Sequence, residues 1–283
     1  MTILITGSNG LLGQQLSATA IKRGLSVQCA DKDDAVNREN FVQLDLTDED
    51  AVLSACKRLR PDTIINCAAI TDVDLCERDK ELASSVNSEA ALYLAKSSKT
   101  IGAHLIHVST DYVFDGKKGL YREEDEPTPI NHYGTSKLQG ETYVKSTAKS
   151  WSIARTSVLF GWGREKRPNF ATWVIKGLRN RNRLNVVTDQ LASPTLNTNL
   201  AEMLLELAER RLQGIYHLAG SDRIDRFSMA IKIADEFYLD KTLLTPVNSD
   251  SINWFARRPK DSSLNVEKAT RELQSKPMSL DAL

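Results

Sequence analysis

No stretch of this 283-residue sequence approaches the ~20 consecutive apolar residues that a membrane-spanning helix needs. Nor does either charge dominate: 37 Lys and Arg face 37 Asp and Glu, so no net field draws the chain to nucleic acid or to an anionic membrane. Cysteine is scarce. Cys29, Cys56, Cys67 and Cys76 all fall in the first third, form no Cys-x-x-Cys pair and lack a nearby histidine to complete a zinc set. They read as reduced, mostly buried thiols, and no metal site is expected. The N-terminus has no basic region, long apolar core or small-residue cleavage pattern. The expectation is a cytoplasmic protein with neither a membrane nor a nucleic-acid partner. Internal repeats, low-complexity tracts and flexible linkers are missing too, which predicts two lobes packed as one unit.

What is present is alternation. Up to about residue 155, short β-branched apolar runs alternate with longer amphipathic stretches, the pattern of repeated βα units on a parallel sheet. The predicted strands are 2–6, 26–30, 41–44, 63–66, 104–109 and 152–155, with helices over 11–23, 48–59, 79–99 and 132–148. Beyond residue 156 the rhythm loosens. Gly161, Gly163 and Pro168 mark a loop, and helical patterns follow near 169–180, 197–211, 227–238 and 266–273. The fold class expected is α/β, a doubly wound parallel sheet of Rossmann-like type with a smaller mixed α/β C-terminal lobe. Residues 1–156 would form the dinucleotide-binding domain, also receiving parts of 185–212, and residues 157–283 would mainly bind substrate in a cleft between the lobes.

Directly after the first strand come Gly7, Gly10 and Gly13, three glycines at intervals of three leading into an amphipathic helix. Each removes a side chain where a tight turn, a pyrophosphate or helix packing leaves no room, while the helix N-terminus offers amides to phosphate oxygens. Asp31 closes the second strand where an acid would meet the adenosine ribose hydroxyls, which favours NADH. Lys32 could instead pair with a 2′-phosphate, which favours NADPH, and residues 31–34 also read as a solvated turn. Both coenzymes therefore stay open. Asp45 and Leu46, after the third run, could flank the adenine.

Tyr133 and Lys137 stand four residues apart in a helical stretch and so share one face. A phenol with a reference pKa of about 10 becomes an acid-base group at neutral pH only if a nearby cation favours its phenolate. Thr110 ends an apolar strand beside Ser109, Asp111 and Tyr112, placed to hydrogen-bond a substrate carbonyl. Asn66, Ala68 and Ala69 end the preceding strand with small residues that let a ribose approach. A basic feature, Arg257 and Arg258 after Trp254, could set guanidinium groups on a nucleotide diphosphate or form a plain surface loop.

Taken in order, the three glycines, the Asn-x-Ala-Ala run from Asn66, Ser-Thr-Asp-Tyr-Val-Phe-Asp-Gly (109–116) and Tyr-Gly-x-Ser-Lys (133–137) resemble the extended short-chain dehydrogenase/reductase family, most closely the dTDP-4-dehydrorhamnose reductases. The runs 71–77, 124–133, 189–195 and 258–264 carry the same resemblance, so it covers nearly the whole chain. It implies reduction of a dTDP-6-deoxy-4-keto sugar at C4 to dTDP-L-rhamnose, with a possible homodimer as the assembly. By position Tyr133 becomes the proton donor, Lys137 its helper and ribose ligand, and Thr110 a tuning donor. Gly10, Leu11, Leu12, Asp31, Asp45, Leu46, Ala68, Ala69 and Ile70 would line the cofactor, and Thr110 and Asp111 would meet the sugar. One departure stands out: Val158 occupies the place where the family usually sets a tryptophan against the sugar. A sugar dehydratase is disfavoured because Tyr112, not a glutamate, follows Asp111. Epimerisation at C4 remains open. So does a non-catalytic role, because the sequence also resembles the regulatory β subunit of methionine adenosyltransferase.

Overall fold

Ile3, Leu4 and Ile5 are all fully buried although successive side chains of a strand point to opposite faces, which requires a sheet covered on both sides. Their strand, β1 (Thr2–Thr6), lies inside a seven-stranded sheet in the computed structural model, which describes residues 1–33, 40–163 and 168–282. The others are β2 (Ser26–Asp31), β3 (Phe41–Gln43), β4 (Thr63–Asn66), β5 (His104–Thr110), β6 (Trp151–Thr156) and a last strand at Gly214–His217. Reading across the sheet from Gly214–His217, the order is β6, β5, β4, β1, β2, β3, and every pairing is parallel. The fold is thus α/β and Rossmann-like. Between β1 and β4 the direction of strand addition reverses, and the crevice at that switch point is where such sheets bind ligands.

Among the described residues the helices that precede β6 are α1 (Leu11–Lys22), α2 (Glu49–Leu59), α3 (Val73–Arg78), α4 (Lys80–Ser84), α5 (Ala90–Ile101) and α6 (His132–Thr147). Then follow α7 (Phe170–Arg179), α8 (Asn197–Arg210), α9 (Arg226–Glu236) and α10 (Glu267–Glu272). Val52, Cys56, Leu94 and Val144 from α2, α5 and α6 cover one face of the sheet against Leu4, Ile64, Leu105 and Ile153. The other face packs Leu12 and Leu16 of α1 beside Leu200, Leu204 and Leu207 of α8. A separate cluster joins Val174 and Leu178 of α7 to Met229 and Ile233 of α9. Among the described residues no helix is long and apolar enough to cross a membrane.

Two expectations need correction. The helix foreseen over 79–99 is broken into α4, a π turn at Ser85–Glu89, and α5, which runs on to Ile101. The wide turn aims Asn87 at the chain after β4: its amide accepts from the Ile70 N–H at 2.9 Å and donates to the Ile70 carbonyl at 3.1 Å. The seventh strand was also missed. Gly214–His217 is four residues long and shows no alternation of its own; it is a strand because β6 offers it an open edge, with Gly214 opposite Ser152.

Candidate active site

The glycine loop is shaped by contacts that exclude side chains. Gly7 has φ +66°, and a Cβ there would lie 2.6 Å from the Ala68 nitrogen. At Gly13 a Cβ would lie 2.2 Å from the Gly7 carbonyl oxygen, so α1 can press onto the loop only without one. Gly10 is different. It caps α1 in extended backbone with no side-chain cap hydrogen bond, and a Cβ would meet only the Gly7 oxygen, at 3.3 Å. The first turn of α1 therefore opens with amides uncapped by any side chain, the arrangement that holds a pyrophosphate. Gly7, Gly10, Leu11, Leu12 and Gly13 all line one cavity of about 540 Å³.

At the far end of β2 the Asp31 carboxylate accepts from the Asn9 N–H at 2.9 Å, tying the loop to the strand. Lys32 pairs with Asp45 at 3.0 Å. Hydrogen bonds from the Thr47 hydroxyl (2.7 Å) and amide (3.0 Å) hold the Asp45 carboxyl down to about 2, with Lys32 adding to the effect. Leu46 is buried alongside. Of the turn 31–34, Asp34 lies outside the described residues. Ala69 lines the cavity with the glycine loop, the Ala68 amide donates to Asn66 Oδ1 at 3.1 Å, and Ile70 is gripped by Asn87.

The second wall of the cavity is built by α6. Its start is fixed by Asn131, whose Oδ1 accepts from the Gly134 N–H at 2.8 Å. A Cβ on Gly134 would lie 2.1 Å from the Tyr112 carbonyl, so glycine here lets the helix close onto the end of β5. Tyr133, Lys137, Thr110 and Asp111 consequently line the same cavity as the glycine loop. The Tyr133 ring meets Tyr112 edge-on, with centroids 5.8 Å apart. Burial raises the Tyr133 pKa above the ordinary phenol value, while the Thr110 hydroxyl works in the opposite direction. The Lys137 ammonium donates to the Val108 carbonyl at 2.7 Å, and burial brings its pKa down to about 8. Thr110 donates to Asp111 at 3.0 Å and accepts from the Tyr112 N–H at 3.1 Å. Asp111 also accepts from the hydroxyls of Ser157 and Ser262, and burial raises its carboxyl pKa.

Val158, on the cavity wall, has φ +42°, a left-handed conformation rare for a β-branched residue. Its carbonyl accepts from the Thr195 N–H at 3.1 Å, and Leu159–Phe160 pairs with Thr195–Leu196 directly after it. Surroundings of this kind hold strain in place at functional sites.

A second chamber of about 510 Å³ opens from the first, sharing Thr71, Val73, Tyr112, Phe170 and Arg226 with it. Arg258 lines this outer chamber. Its guanidinium donates to Asp74 at 2.6 Å and to the Ala256 carbonyl at 2.7 Å, and stacks 5.1 Å from the Trp254 ring centroid. Arg226, Trp173 and Asn185 gave no signal in the sequence, and Gln190 only as part of the run 189–195, because they come from elements that only the folded C-terminal lobe brings together.

A model of the RmlD substrate binding domain family matches residues 1–281. The chain belongs to this family, within the extended short-chain dehydrogenases/reductases. Its similarity to the dTDP-4-dehydrorhamnose reductase of Aggregatibacter actinomycetemcomitans is 34% identity, covering 97% of this chain and 94% of that protein. It is also 33% identical to methionine adenosyltransferase 2 subunit beta of Pongo abelii, over 94% of this chain and 80% of the relative. Among solved structures, the Bacillus anthracis dTDP-4-dehydrorhamnose reductase in complex with NADP superposes with a TM-score of 0.90 at 33% identity, covering 99% of this chain and 96% of the other.

Proposed function

We propose that this chain reduces the C4 ketone of a dTDP-4-keto-6-deoxy sugar, turning dTDP-4-dehydrorhamnose into dTDP-L-rhamnose, with Tyr133 as the proton donor. It is an NAD(P)-dependent oxidoreductase. The observation that carries the finer reading is convergence: Thr110, Tyr133 and Lys137 line one cavity with the three-glycine loop. The uncapped first turn of α1 and the cavity that Gly10 lines suit a dinucleotide pyrophosphate. Residues 1–156, completed by α8 and the Gly214–His217 strand, take the cofactor, and residues 157–283 mainly take the sugar nucleotide. When bound, the reduced nicotinamide supplies the hydride.

Tyr133 gives its proton to the oxygen formed at C4, and the Thr110 hydroxyl, which donates to Asp111 in the structure, turns to that oxygen. Lys137, anchored by the Val108 carbonyl, keeps a positive charge near the phenolate that results and reaches the ribose hydroxyls. Burial raises the cost of that phenolate, so the ammonium has most effect after the proton has moved. The similarity to methionine adenosyltransferase beta subunits favours a second reading, a cofactor-binding regulatory subunit. The test follows NADH and NADPH absorbance on adding dTDP-6-deoxy-L-lyxo-4-hexulose. Oxidation of either coenzyme supports the reductase, whereas coenzyme binding with no oxidation overturns this substrate and points to a different sugar or to the regulatory role.

A further inference from the structure

The two chambers meet at Arg226, the first residue of α9. Its backbone N–H donates to the Gln190 carbonyl at 3.2 Å, and its guanidinium carbon lies 5.0 Å from the Phe170 ring centroid. The neighbouring acid, Asp225, is occupied in capping α9: its carboxylate accepts from the Ser228 amide at 2.9 Å and hydroxyl at 2.6 Å. Asp111, buried nearby, already takes hydrogen bonds from three hydroxyls and feels the Arg226 charge from beyond ion-pair distance, while the Tyr112 phenol hydrogen-bonds the Arg226 side chain. Among the described residues Arg226 makes no ion pair, in contrast to Arg258, which Asp74 neutralises from 2.6 Å. An arginine stacked on an aromatic face, with no carboxylate of the described residues within ion-pair distance and lining a cavity, is arranged for an oxyanion from outside the protein.

Position says which oxyanion. The inner chamber holds Tyr133 and Thr110, where a sugar would react, while Trp173, Trp254, Asn185 and Gln190 of the outer chamber offer stacking faces and amides suited to a nucleoside. A nucleotide sugar is linear, with its diphosphate between sugar and nucleoside. Laid through the two chambers, its sugar-side phosphate falls at their junction. We propose that Arg226 is a specificity-determining residue that binds the sugar-side phosphate of a nucleoside diphosphate sugar, a role separate from that of Arg258, which ties the 254–258 loop to α3. This inference rests on the nucleotide-sugar reading above.

The test is calorimetric titration of NADPH-loaded wild type, Arg226→Gln and Arg226→Lys with dTDP and with dTMP, which lacks the outer phosphate. For Arg226→Gln, dTDP affinity is expected to fall about tenfold or more while dTMP affinity stays within about twofold, as loss of one charge-assisted contact predicts. Arg226→Lys should keep part of the dTDP affinity, because the charge remains and the planar fork does not. NADPH affinity and melting temperature, measured on the same variants, should match wild type. Equal losses for dTDP and dTMP would mean that Arg226 only shapes the pocket, and an unchanged dTDP affinity would place the anion elsewhere, on the sugar included; either overturns the proposal alone. Failure of wild type to bind dTDP at all would overturn the nucleotide-sugar reading with it.

Discussion

The Nζ of Lys137 stands 3.3 Å from the Nε2 of His107, and the hydrogen bonds around the ring decide what that contact is. Asn66 Oδ1 accepts from the Thr6 hydroxyl at 2.8 Å and from the Ala68 amide at 3.1 Å, so the Asn66 amide nitrogen faces His107 Nδ1, at 3.1 Å. A donor on that side makes Nδ1 an acceptor and leaves the neutral ring's proton on Nε2, toward Lys137. Burial and the Lys137 charge keep His107 well below the usual histidine range, so the ring stays neutral. Lys137 thus meets the positive end of an N–H dipole and turns its own donor to the Val108 carbonyl.

A pH dependence follows from this arrangement. Burial lowers the Lys137 pKa to about 8, so the ammonium is complete below that pH and is lost as pH rises through it. The pH profile of kcat/KM, which reports groups of the free enzyme, is expected to decline above about 8. A profile flat to the ordinary lysine range would remove Lys137 from the mechanism.

Tyr133→Phe keeps the ring that packs edge-on against Tyr112 and deletes only the proton donor. Turnover should fall by about a hundredfold to ten-thousandfold, the usual contribution of a positioned general acid. Coenzyme affinity, measured by fluorescence titration, should stay near wild type. Retained turnover would sink the assignment of Tyr133.

The glycines separate folding from binding. A Cβ on Gly13 would sit 2.2 Å from the Gly7 carbonyl, whereas on Gly10 it would meet only that oxygen at 3.3 Å. Gly13→Ala should therefore lower the melting temperature and abolish coenzyme binding together. Gly10→Ala should melt close to wild type yet bind coenzyme more weakly, since its Cβ intrudes where the pyrophosphate approaches the backbone. Scanning calorimetry with and without NADPH distinguishes the two.

Behind the site, Arg155 and Glu141 form a bidentate pair with bonds of 2.9 and 2.8 Å, and their side chains are 1% and 0% exposed. Ser109 adds a 2.7 Å hydrogen bond to the same carboxylate, locking the end of β5 to α6. Arg155→Met leaves a carboxylate buried without its cation, at a cost of roughly 3–5 kcal/mol. Urea denaturation should show that loss, and Glu141→Leu added to it should recover much of the stability. Equal stability of Arg155→Met and wild type would mean that the pair does not hold these elements together.

The six predicted strands up to residue 156 all occur: the inner ones β1, β4 and β5 are short apolar runs buried on both faces, while β3 at the sheet edge is only half-buried or exposed. The clustering of Gly7, Gly10, Gly13, Thr110, Tyr133 and Lys137 was legible for a related reason. Strand ends on one edge of a parallel sheet share one crevice, so the loop following β1 and the residues ending β5 open on the same cavity as the start of α6, which packs on β5. Less legible was Asn87, whose π turn is invisible in helical periodicity, and Arg226, whose neighbours Phe170 and Gln190 are remote in sequence.

By itself the sequence determined the parallel sheet, the glycine loop and the placing of Tyr133 and Lys137 one turn apart on a single helix, since all three depend on local spacing and on the burial period of strands and helices. Only the tertiary structure decided that Gly214–His217 completes the sheet, that His107 presents its N–H to Lys137, that Asp74 neutralises Arg258 and that Arg226 is left facing the cavity. The physical reason is range. Periodicity reports which face of an element is buried, while the charge state and partner of a polar side chain depend on groups far away along the chain, as Asp74 and Arg258 are from each other.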